Sequence, residues 1–219
     1  ICLIPKENKD PSLCKNYRPI SLVNTDYKIF AKILALRLDP ILPDLIGPEQ
    51  SGFVKGRLSS DNTRVFFNVL SKAPTMVVPS AAIALDAEKA FDRIGWDFMF
   101  YALKWIGLPP KLIFLISLLY TGPKAAIVAN GLLSDYFPLF RGVRQGCPLS
   151  PLLFIITLEP FLTKIRQDTL ITGFHFRPDQ VKLSVYADDI LFFCSNPESS
   201  LPPFFNQVSS FSELSGYRL

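Results

Sequence analysis

The sequence has few of the residues that bind zinc or form disulfide frameworks. It contains one histidine and four cysteines, and no two cysteines have CxxC or other zinc-site spacing. This scarcity argues against a zinc site and against a disulfide-stapled secreted domain, and it favours a reduced intracellular protein. Charged residues are also sparse, at 19% against 49% hydrophobic residues, which excludes a disordered chain.

Long apolar runs are missing as well. No stretch approaches the roughly 20 residues that span a bilayer, and there is no signal peptide. The net charge of +4 permits a nucleic-acid partner but does not require one. Because the chain opens without methionine and stops within a predicted element, we expect a fragment of a longer protein.

What the sequence does contain is two groups of carboxylates about a hundred residues apart. Asp86 follows the apolar run 82–85, and Asp188 and Asp189 lie within Val-Tyr-Ala-Asp-Asp-Ile at 185–190. We expect each group to end a buried strand, where uncompensated carboxylates are costly. Two divalent ions clamping a phosphoryl transfer would compensate them. Hard oxygen ligands favour Mg²⁺ or Mn²⁺ over zinc. The alternative is acids that merely favour a turn.

Helical and strand patterns are mixed without strict alternation, which predicts an α+β fold. Apolar residues recur at helical spacing within 25–39, 61–70, 96–106, 111–120 and 150–167. Strand-like runs cover 76–86, 125–129, 136–140 and 182–194, with Asn130-Gly131 as a hairpin turn. Pro79 suits an edge strand or an irregular entry more than a central strand. The run 182–194 predicts a hairpin with the acidic pair at its tip.

Glycines and arginines precede the last of these predicted helices, in the segment 141–151. Glycine lets a ligand approach the backbone closely, and arginine suits phosphate, although a structural turn remains an equal alternative. Cys147 has no histidine partner, so we predict a packing residue. We expect most basic residues of the first third to be solvated. Arg18 is the exception, because its apolar neighbours suggest a held side chain.

Together these motifs resemble those of reverse transcriptases, and more narrowly those of LINE-type (non-LTR) retrotransposons. The resemblance covers essentially the whole chain in the expected order. Its motifs are Asn-Tyr-Arg-Pro-Ile-Ser-Leu (16–22), Gln-Ser-Gly-Phe-Val-Lys-Gly-Arg (50–57), Leu-Asp-Ala-Glu-Lys-Ala-Phe-Asp (85–92), Arg-Gln-Gly-Cys-Pro-Leu-Ser-Pro (144–151) and Tyr-Ala-Asp-Asp (186–189).

The resemblance implies a right-hand polymerase fold in a single reverse transcriptase domain over 1–219. Fingers are expected at about 1–75 and 115–145, and palm at about 76–114 and 146–219. The thumb is expected beyond residue 219, and an isolated fragment without it should polymerise weakly or not at all.

The resemblance also assigns site residues. Asp86 and Asp188 would hold two Mg²⁺ ions (or Mn²⁺), with the carbonyl of Ala87 as a further ligand and Asp189 in a supporting role. Phe91 would lie under the incoming sugar and exclude a 2′-hydroxyl. Further expected contacts with the nucleotide come from Lys6, Arg18, Gln145 and Gly146, and weaker expectations of nucleic-acid contact fall on Lys55, Arg57 and Arg144.

The implied activity is RNA-directed DNA polymerisation, with an RNA template, a DNA primer or target and dNTPs as partners. An endonuclease and a thumb would belong to the same polyprotein, and the family implies the nucleus. Two alternatives stay open at this point. One is a catalytically decayed nucleic-acid-binding remnant, and the other is a related group II intron or telomerase-like polymerase.

Overall fold

The described part of the chain, residues 1–76, 79–176 and 179–218 of a computed structural model, contains eight α-helices, three single-turn 3-10 helices and eleven short strands. The helices are α1 (Thr25–Leu38), α2 (Leu42–Leu45), α3 (Ser59–Lys72), α4 (Ala90–Arg93), α5 (Trp96–Trp105), α6 (Pro110–Leu118), α7 (Ser150–Gln167) and α8 (Pro197–Ser215). The strands are β1 (Cys2–Pro5), β2 (Tyr17–Ile20), β3 (Ala81–Leu85), β4 (Lys124–Ala125), β5 (Val128–Ala129), β6 (Leu132–Leu133), β7 (Phe137–Pro138), β8 (Phe174–Phe176), β9 (Asp179–Val181), β10 (Leu183–Tyr186) and β11 (Asp189–Cys194). No helix within these residues is both long and apolar enough to cross a bilayer.

Helix α7 is the centre of the core. Twelve of its residues are buried, because its sequence is apolar around most of its circumference. Helices α5 and α8 pack against it. Phe161 of α7 stacks on Phe211 of α8 with ring centroids 4.8 Å apart. The helix has the predicted extent, and its buried side chains belong to the same hydrophobic core as those of β10 and β11.

The sheet that holds the acids has the strand order β10-β11-β3, with both pairings antiparallel. The predicted hairpin is confirmed, and its tip comprises Ala187 and Asp188. Strand β3 lies at the edge, in agreement with the prediction from Pro79. Part of the predicted strand 76–86, Val77 and Val78, lies outside the described residues, and β3 itself begins only at Ala81.

A second sheet has the order β2-β1-β5-β6. Asn130-Gly131 forms the predicted turn between β5 and β6, but these strands have only two residues each. The regular ladder stops because the Ser134 hydroxyl accepts a hydrogen bond from the Ile127 N–H at 2.9 Å, in place of a backbone carbonyl. The predicted strand 136–140 is likewise reduced to β7, which pairs with β4 outside this sheet.

Candidate active site

The antiparallel register of β3 and β11 brings the distant acids together. Leu85 pairs with Ile190, so the next positions along the same ladder are Asp86 and Asp189. Opposite residues of such a pair have Cα atoms roughly 4.5–5.5 Å apart. Asp188 lies in the turn immediately before Asp189. It is close enough to both other carboxylates for their negative charges to raise its pKa. The predicted meeting of residues 86, 188 and 189 is therefore present in the fold.

The expectation that each acidic group ends a buried strand holds for Asp188 and Asp189, because β10 and β11 are largely buried, but it was wrong for Asp86, which follows the edge strand β3. Strand β3 alternates between half-buried and exposed residues, as an edge strand does, and the side chains of Asp86 and Asp189 are exposed. Asp188 alone is half-buried. Burial raises its pKa, and the negative charges of Asp189 and Asp86 raise it further, while a hydrogen bond from its own backbone N–H lowers it. The acids therefore lie on the floor of an open cleft.

The hairpin tip that presents Asp188 has an unusual backbone. Tyr186 pairs with Asp189, which leaves a two-residue turn, and its first residue, Ala187, has φ of 57°. That position in a two-residue hairpin with one positive φ is normally glycine. An alanine there costs on the order of 1 kcal/mol in local strain. Something outside the turn must hold it in place.

A cavity of about 620 Å³ opens between the acids and the second sheet. It is lined by both basic and acidic side chains. The basic ones are Lys6, Lys15, Arg18 and Lys89, and the acidic ones are Asp86, Asp92 and Asp188. The remaining lining residues are Leu3, Cys14, Tyr17, Pro19, Ala87, Ala90, Phe91, Gln145 and Gly146. Carboxylates and cations from separate elements thus face one space of ligand size.

Most of the residues that the sequence singled out for metal and nucleotide line this cavity. They are Lys6, Arg18, Asp86, Ala87, Phe91, Gln145, Gly146 and Asp188, while Asp189 lies beside the cavity at the start of β11. Arg18 is exposed, and its side chain makes no hydrogen bond or ion pair within the described residues, so the expectation of a held side chain was wrong. Its guanidinium is free to meet a ligand.

Phe91 both faces the cavity and belongs to the core. Its ring stacks on Phe154 of α7 with centroids 4.7 Å apart and planes 6° apart. Phe53 meets it edge-on at 6.4 Å. The ring is therefore fixed in orientation. Phe91 is at once a core residue and part of the cavity wall.

The segment 141–147 is fastened to the turn that follows Asp86. The N–H of Gly142 donates to the Ile94 carbonyl and that of Val143 to the Phe91 carbonyl, both at 2.7 Å. The side chain of Gln145 donates to the Asp92 carboxylate at 3.3 Å. Burial raises the pKa of Asp92, although this hydrogen bond and the charge of Lys89 oppose the shift. The loop thus shapes one wall of the cavity.

Gly146 is a glycine for a reason different from the one that the sequence suggested. Its φ is +101°, and a Cβ atom there would lie 2.9 Å from the Ser21 carbonyl oxygen. The N–H of Ser21 in turn donates to the Gln145 carbonyl at 2.8 Å. The space beside Gly146 is filled by the segment after β2, so a close approach of protein backbone, rather than of a ligand, requires the glycine.

Two of the three residues given a weaker expectation of nucleic-acid contact are held inside the protein. The Arg57 guanidinium donates to the carbonyls of four residues, among them Gln50 at 2.7 Å and Ile46 at 2.8 Å. Arg144 donates to the Tyr27 hydroxyl and to the Leu119 carbonyl. Both predictions are corrected, because these donors are already used. Lys55 is exposed, and its role stays a prediction.

A family comparison decides the identity of the fold and site. Residues 4–219 match the family described as reverse transcriptase (RNA-dependent DNA polymerase). The chain belongs to the reverse transcriptase family. The predicted resemblance is confirmed, including its narrower form, a domain of the non-LTR retrotransposon kind.

Curated relatives of this reverse transcriptase domain come from transposable elements. It is 38% identical to the transposon TX1 uncharacterized 149 kDa protein of Xenopus laevis over 87% of the chain and 14% of that protein. It is 28% identical to the RNA-directed DNA polymerase from mobile element jockey of Drosophila funebris over 87% of the chain and 20% of that protein. The chain thus spans a fifth or less of the length of these two relatives.

Solved structures share the fold of the reverse transcriptase domain. Telomerase from Candida tropicalis, in complex with a fragment of telomeric RNA, aligns with a TM-score of 0.58 and 16% identity. The alignment covers 86% of this chain and 32% of that one. The likeness confirms the predicted α+β reverse transcriptase fold.

The donor set of the reverse transcriptase site fits a magnesium-type ion only in part. Within residues 1–76, 79–176 and 179–218, no three histidine, cysteine, aspartate or glutamate side chains converge enough to hold a metal ion alone. Asp86 and Asp188 nevertheless face one cavity. Among its described lining residues, Cys14 is the sole cysteine and there is no histidine, so oxygen atoms are the main available metal ligands. Mg²⁺ is commonly held by one or two carboxylates together with substrate phosphates and water. The pair fits that mode of binding.

Sequence reasoning missed several residues of the site. Lys89, with φ of 50°, and Asp92 line the cavity, as does Lys15. Lys89 and Asp92 lie within the motif 85–92, so their place in that motif was the available signal. Gln50, which is fully buried and bonded to the acidic turn, lies within the motif 50–57, where only the basic residues were singled out.

Proposed function

We propose that this chain is the RNA-directed DNA polymerase domain of a longer non-LTR retrotransposon protein. One observation carries the proposal: Asp86, just after β3, and Asp188, in the turn between β10 and β11, face the same cavity as Lys6, Arg18 and Lys89. That arrangement suits a nucleoside triphosphate, because its phosphates need cations and its reacting phosphate needs divalent ions. RNA template, DNA primer or target, and dNTPs are the proposed partners. The other domains of the polyprotein and a nuclear location belong to the same proposal.

In this proposal Asp86 and Asp188 hold two Mg²⁺ ions, with Ala87 and Asp189 in supporting positions. When bound, such ions neutralise charge on the attacking and leaving oxygens of the displacement. The chain's own residues do the rest. Lys6, Arg18 and Lys89 orient the triphosphate by charge, and their positions on β2 and on the turns after β1 and β3 surround it.

Phe91 supplies the floor for the sugar. Because its ring is stacked on Phe154, it cannot turn away from a bulkier sugar without losing that contact. Gln145 is held against Asp92 and forms the adjoining wall. We assign residues 1–75 and 115–145, which include the second sheet, to the fingers, and residues 76–114 and 146–219, which include the acid-bearing sheet with α5, α7 and α8, to the palm.

Primer extension by the parent protein on an RNA template tests the proposal. Asp188→Asn should lower incorporation by about 10²- to 10³-fold, the usual loss when one electrostatic group at a reacting centre is removed. Asp135→Asn is the matched control, since Asp135 is exposed in the segment between β6 and β7, and it should leave incorporation unchanged. Equal, measurable incorporation by the Asp188→Asn protein and the unaltered protein would rule out the metal-site assignment, whereas no incorporation by the unaltered protein would favour the decayed nucleic-acid-binding remnant.

A further inference from the structure

Gln50 joins the segment before α3 to the acidic turn through its amide. It is fully buried, at 0% exposure. Its side-chain oxygen accepts from the N–H of Ala187 at 2.8 Å and from the N–H of Gly52 at 2.9 Å. Its side-chain nitrogen donates to the carbonyl of Ala187 at 3.0 Å. One amide group therefore satisfies both backbone polar groups of a single residue 137 positions away.

That residue is the strained one. Ala187 has φ of 57° where glycine is the usual choice, and it immediately precedes Asp188. A strained conformation persists only where surrounding contacts determine it. The two hydrogen bonds from Gln50 fix both peptide groups that flank the Ala187 Cα, so they fix the direction in which the chain leaves toward Asp188.

The segment around Gln50 is itself docked tightly on the hairpin. Val185 donates to the Glu49 carbonyl and accepts from the Ser51 N–H, both at 2.9 Å, so residues 49–51 extend the sheet beyond β10. A Cβ atom on Gly52 would lie 2.3 Å from the Ala187 nitrogen. Since no side chain fits there, the Gln50 amide is held at a fixed distance from the turn.

We propose that Gln50 is a positioning residue for catalysis, which holds the Ala187 turn so that the Asp188 carboxylate faces the cavity beside Asp86. The inference rests on the proposed polymerase function. Gln50 is not among the residues that line the cavity, so it is not placed to contact a substrate there. It acts through Ala187, and its loss should therefore change the reaction rate and metal binding more than nucleotide binding.

The first test is kinetic and uses the parent protein. Gln50→Met keeps the length of the side chain but removes its donor and acceptor. It should lower kcat by about 10²-fold, the loss typical of a misplacement of about 1 Å at a reacting group. The KM for dNTP should change less than about threefold, because the cations that face the triphosphate are untouched. An unchanged kcat, or a loss confined to KM, would overturn the proposal.

The second test does not depend on activity. Binding of Mn²⁺ to the same proteins, followed by the electron paramagnetic resonance of the free ion, should be weaker by about tenfold in Gln50→Met, because one displaced carboxylate leaves a poorer donor set. The control is Thr157→Val, which also removes a buried hydrogen bond, from the Thr157 hydroxyl to the Leu153 carbonyl at 2.7 Å, but within α7. Equal Mn²⁺ affinities in Gln50→Met and Thr157→Val would contradict the proposal.

A double variant separates positioning from general stability. Glycine adopts the φ of Ala187 without strain, so Ala187→Gly added to Gln50→Met should recover part of the lost kcat and Mn²⁺ affinity. A merely structural role predicts no recovery.

If Gln50→Met does not fold, Gln50→Glu keeps the acceptor for both N–H groups and should show an intermediate kcat. Unaltered protein without incorporation would refute the polymerase function, whereas active protein with a fully active Gln50→Met variant would refute only this inference.

Discussion

At the scale of single residues, the three acids show that the pKa of one carboxyl group can be shifted even in an exposed cleft. Asp86 and Asp189 are exposed, yet Asp188 between them is half-buried and its pKa is raised by burial and by both neighbours. Burial and neighbouring negative charge thus disfavour ionisation of the Asp188 carboxyl, and a nearby cation would oppose both effects. This electrostatic arrangement is consistent with the proposed metal site.

The identities of these acids could be predicted from the sequence, but their environments could not. An aspartate after an apolar run, and an acidic pair between β-rich runs, were sufficient to locate Asp86, Asp188 and Asp189. Gln50 could not be assigned in this way, because its partner Ala187 lies 137 residues further along the chain and no local pattern encodes that contact. The use of Arg57 and Arg144 within the protein escaped prediction for the same reason.

Phe91 should determine which sugar the site accepts. Phe91→Val removes most of the ring that faces the cavity, so the preference of the parent protein for dNTP over rNTP should fall by at least about tenfold. The variant should also be less stable by roughly 1–3 kcal/mol, because the stacking on Phe154 is lost. Single-nucleotide incorporation with each nucleotide type measures the first effect, and thermal unfolding measures the second.

Phe161→Val provides the matched control for Phe91. Phe161 also stacks on another ring, that of Phe211, but it is buried away from the cavity. It should lose stability without losing sugar preference. A similar shift in sugar preference for both variants would show that reduced stability, and not the shape of the cavity, explains the change.

At the scale of secondary-structure elements, periodicity predicted five of the eight α-helices in the described residues, but it did not predict α2, α4 or the 19-residue α8. Helix α7 has the predicted extent because a long apolar segment began at a clear Ser-Pro start. The strands of the second sheet are shorter than predicted, since the Ser134 side chain takes a place in the ladder that hydrophobic alternation cannot reveal. The connection between the 141–147 segment and the turn after Asp86 was also beyond the reach of a local pattern.

Substitution of Gly142 tests the connection between the 141–147 segment and the turn after Asp86. The φ of Gly142 is +84°, and a Cβ atom there would lie 2.9 Å from the Asp92 carbonyl oxygen. Gly56 has nearly the same φ, +83°, but open space around it. Both alanine variants should therefore carry a similar backbone strain of about 1 kcal/mol, while Gly142→Ala adds a contact with backbone that cannot easily move.

We expect thermal unfolding to show a clearly larger decrease in Tm for Gly142→Ala than for Gly56→Ala. Polymerase activity of the folded parent protein should fall only in Gly142→Ala, since the displaced loop carries Gln145. Equal decreases in Tm would mean that the loop can move away from Asp92 at no cost, and that it does not hold the cavity wall in place.

At the scale of the whole molecule, the site exists only because two sheets face each other. Strand β2 supplies Arg18 and the turn after β1 supplies Lys6 around the same cavity to which the ends of the acid-bearing strands supply Asp86 and Asp188. The mild net charge of +4 gave little indication of this arrangement, because the cations are concentrated by folding and not by sequence clustering. The order of family motifs along the chain was the signal that did predict it.

Two cations reach the cavity from different parts of the fold. Arg18 lies on β2, and Lys89 lies in the turn before α4. If both orient one triphosphate, Arg18→Gln and Lys89→Gln should each raise the KM for dNTP about 3- to 10-fold. This is the effect expected when one charge-assisted contact is lost at a site where solvent weakens it. The double variant should show roughly the product of the two effects, because the residues do not contact each other. Higher salt should shrink each effect.

Lys104→Gln is the control for these charges, since Lys104 is exposed on α5 and does not line the cavity. It removes the same charge from the molecule and should leave the KM unchanged. An equal rise in KM for Lys104→Gln would show that net charge alone attracts the nucleotide. Unchanged KM values in both cavity variants would place the triphosphate elsewhere, even if the acids prove to be catalytic. The control thus distinguishes a site assembled by the fold from a general attraction by a basic protein.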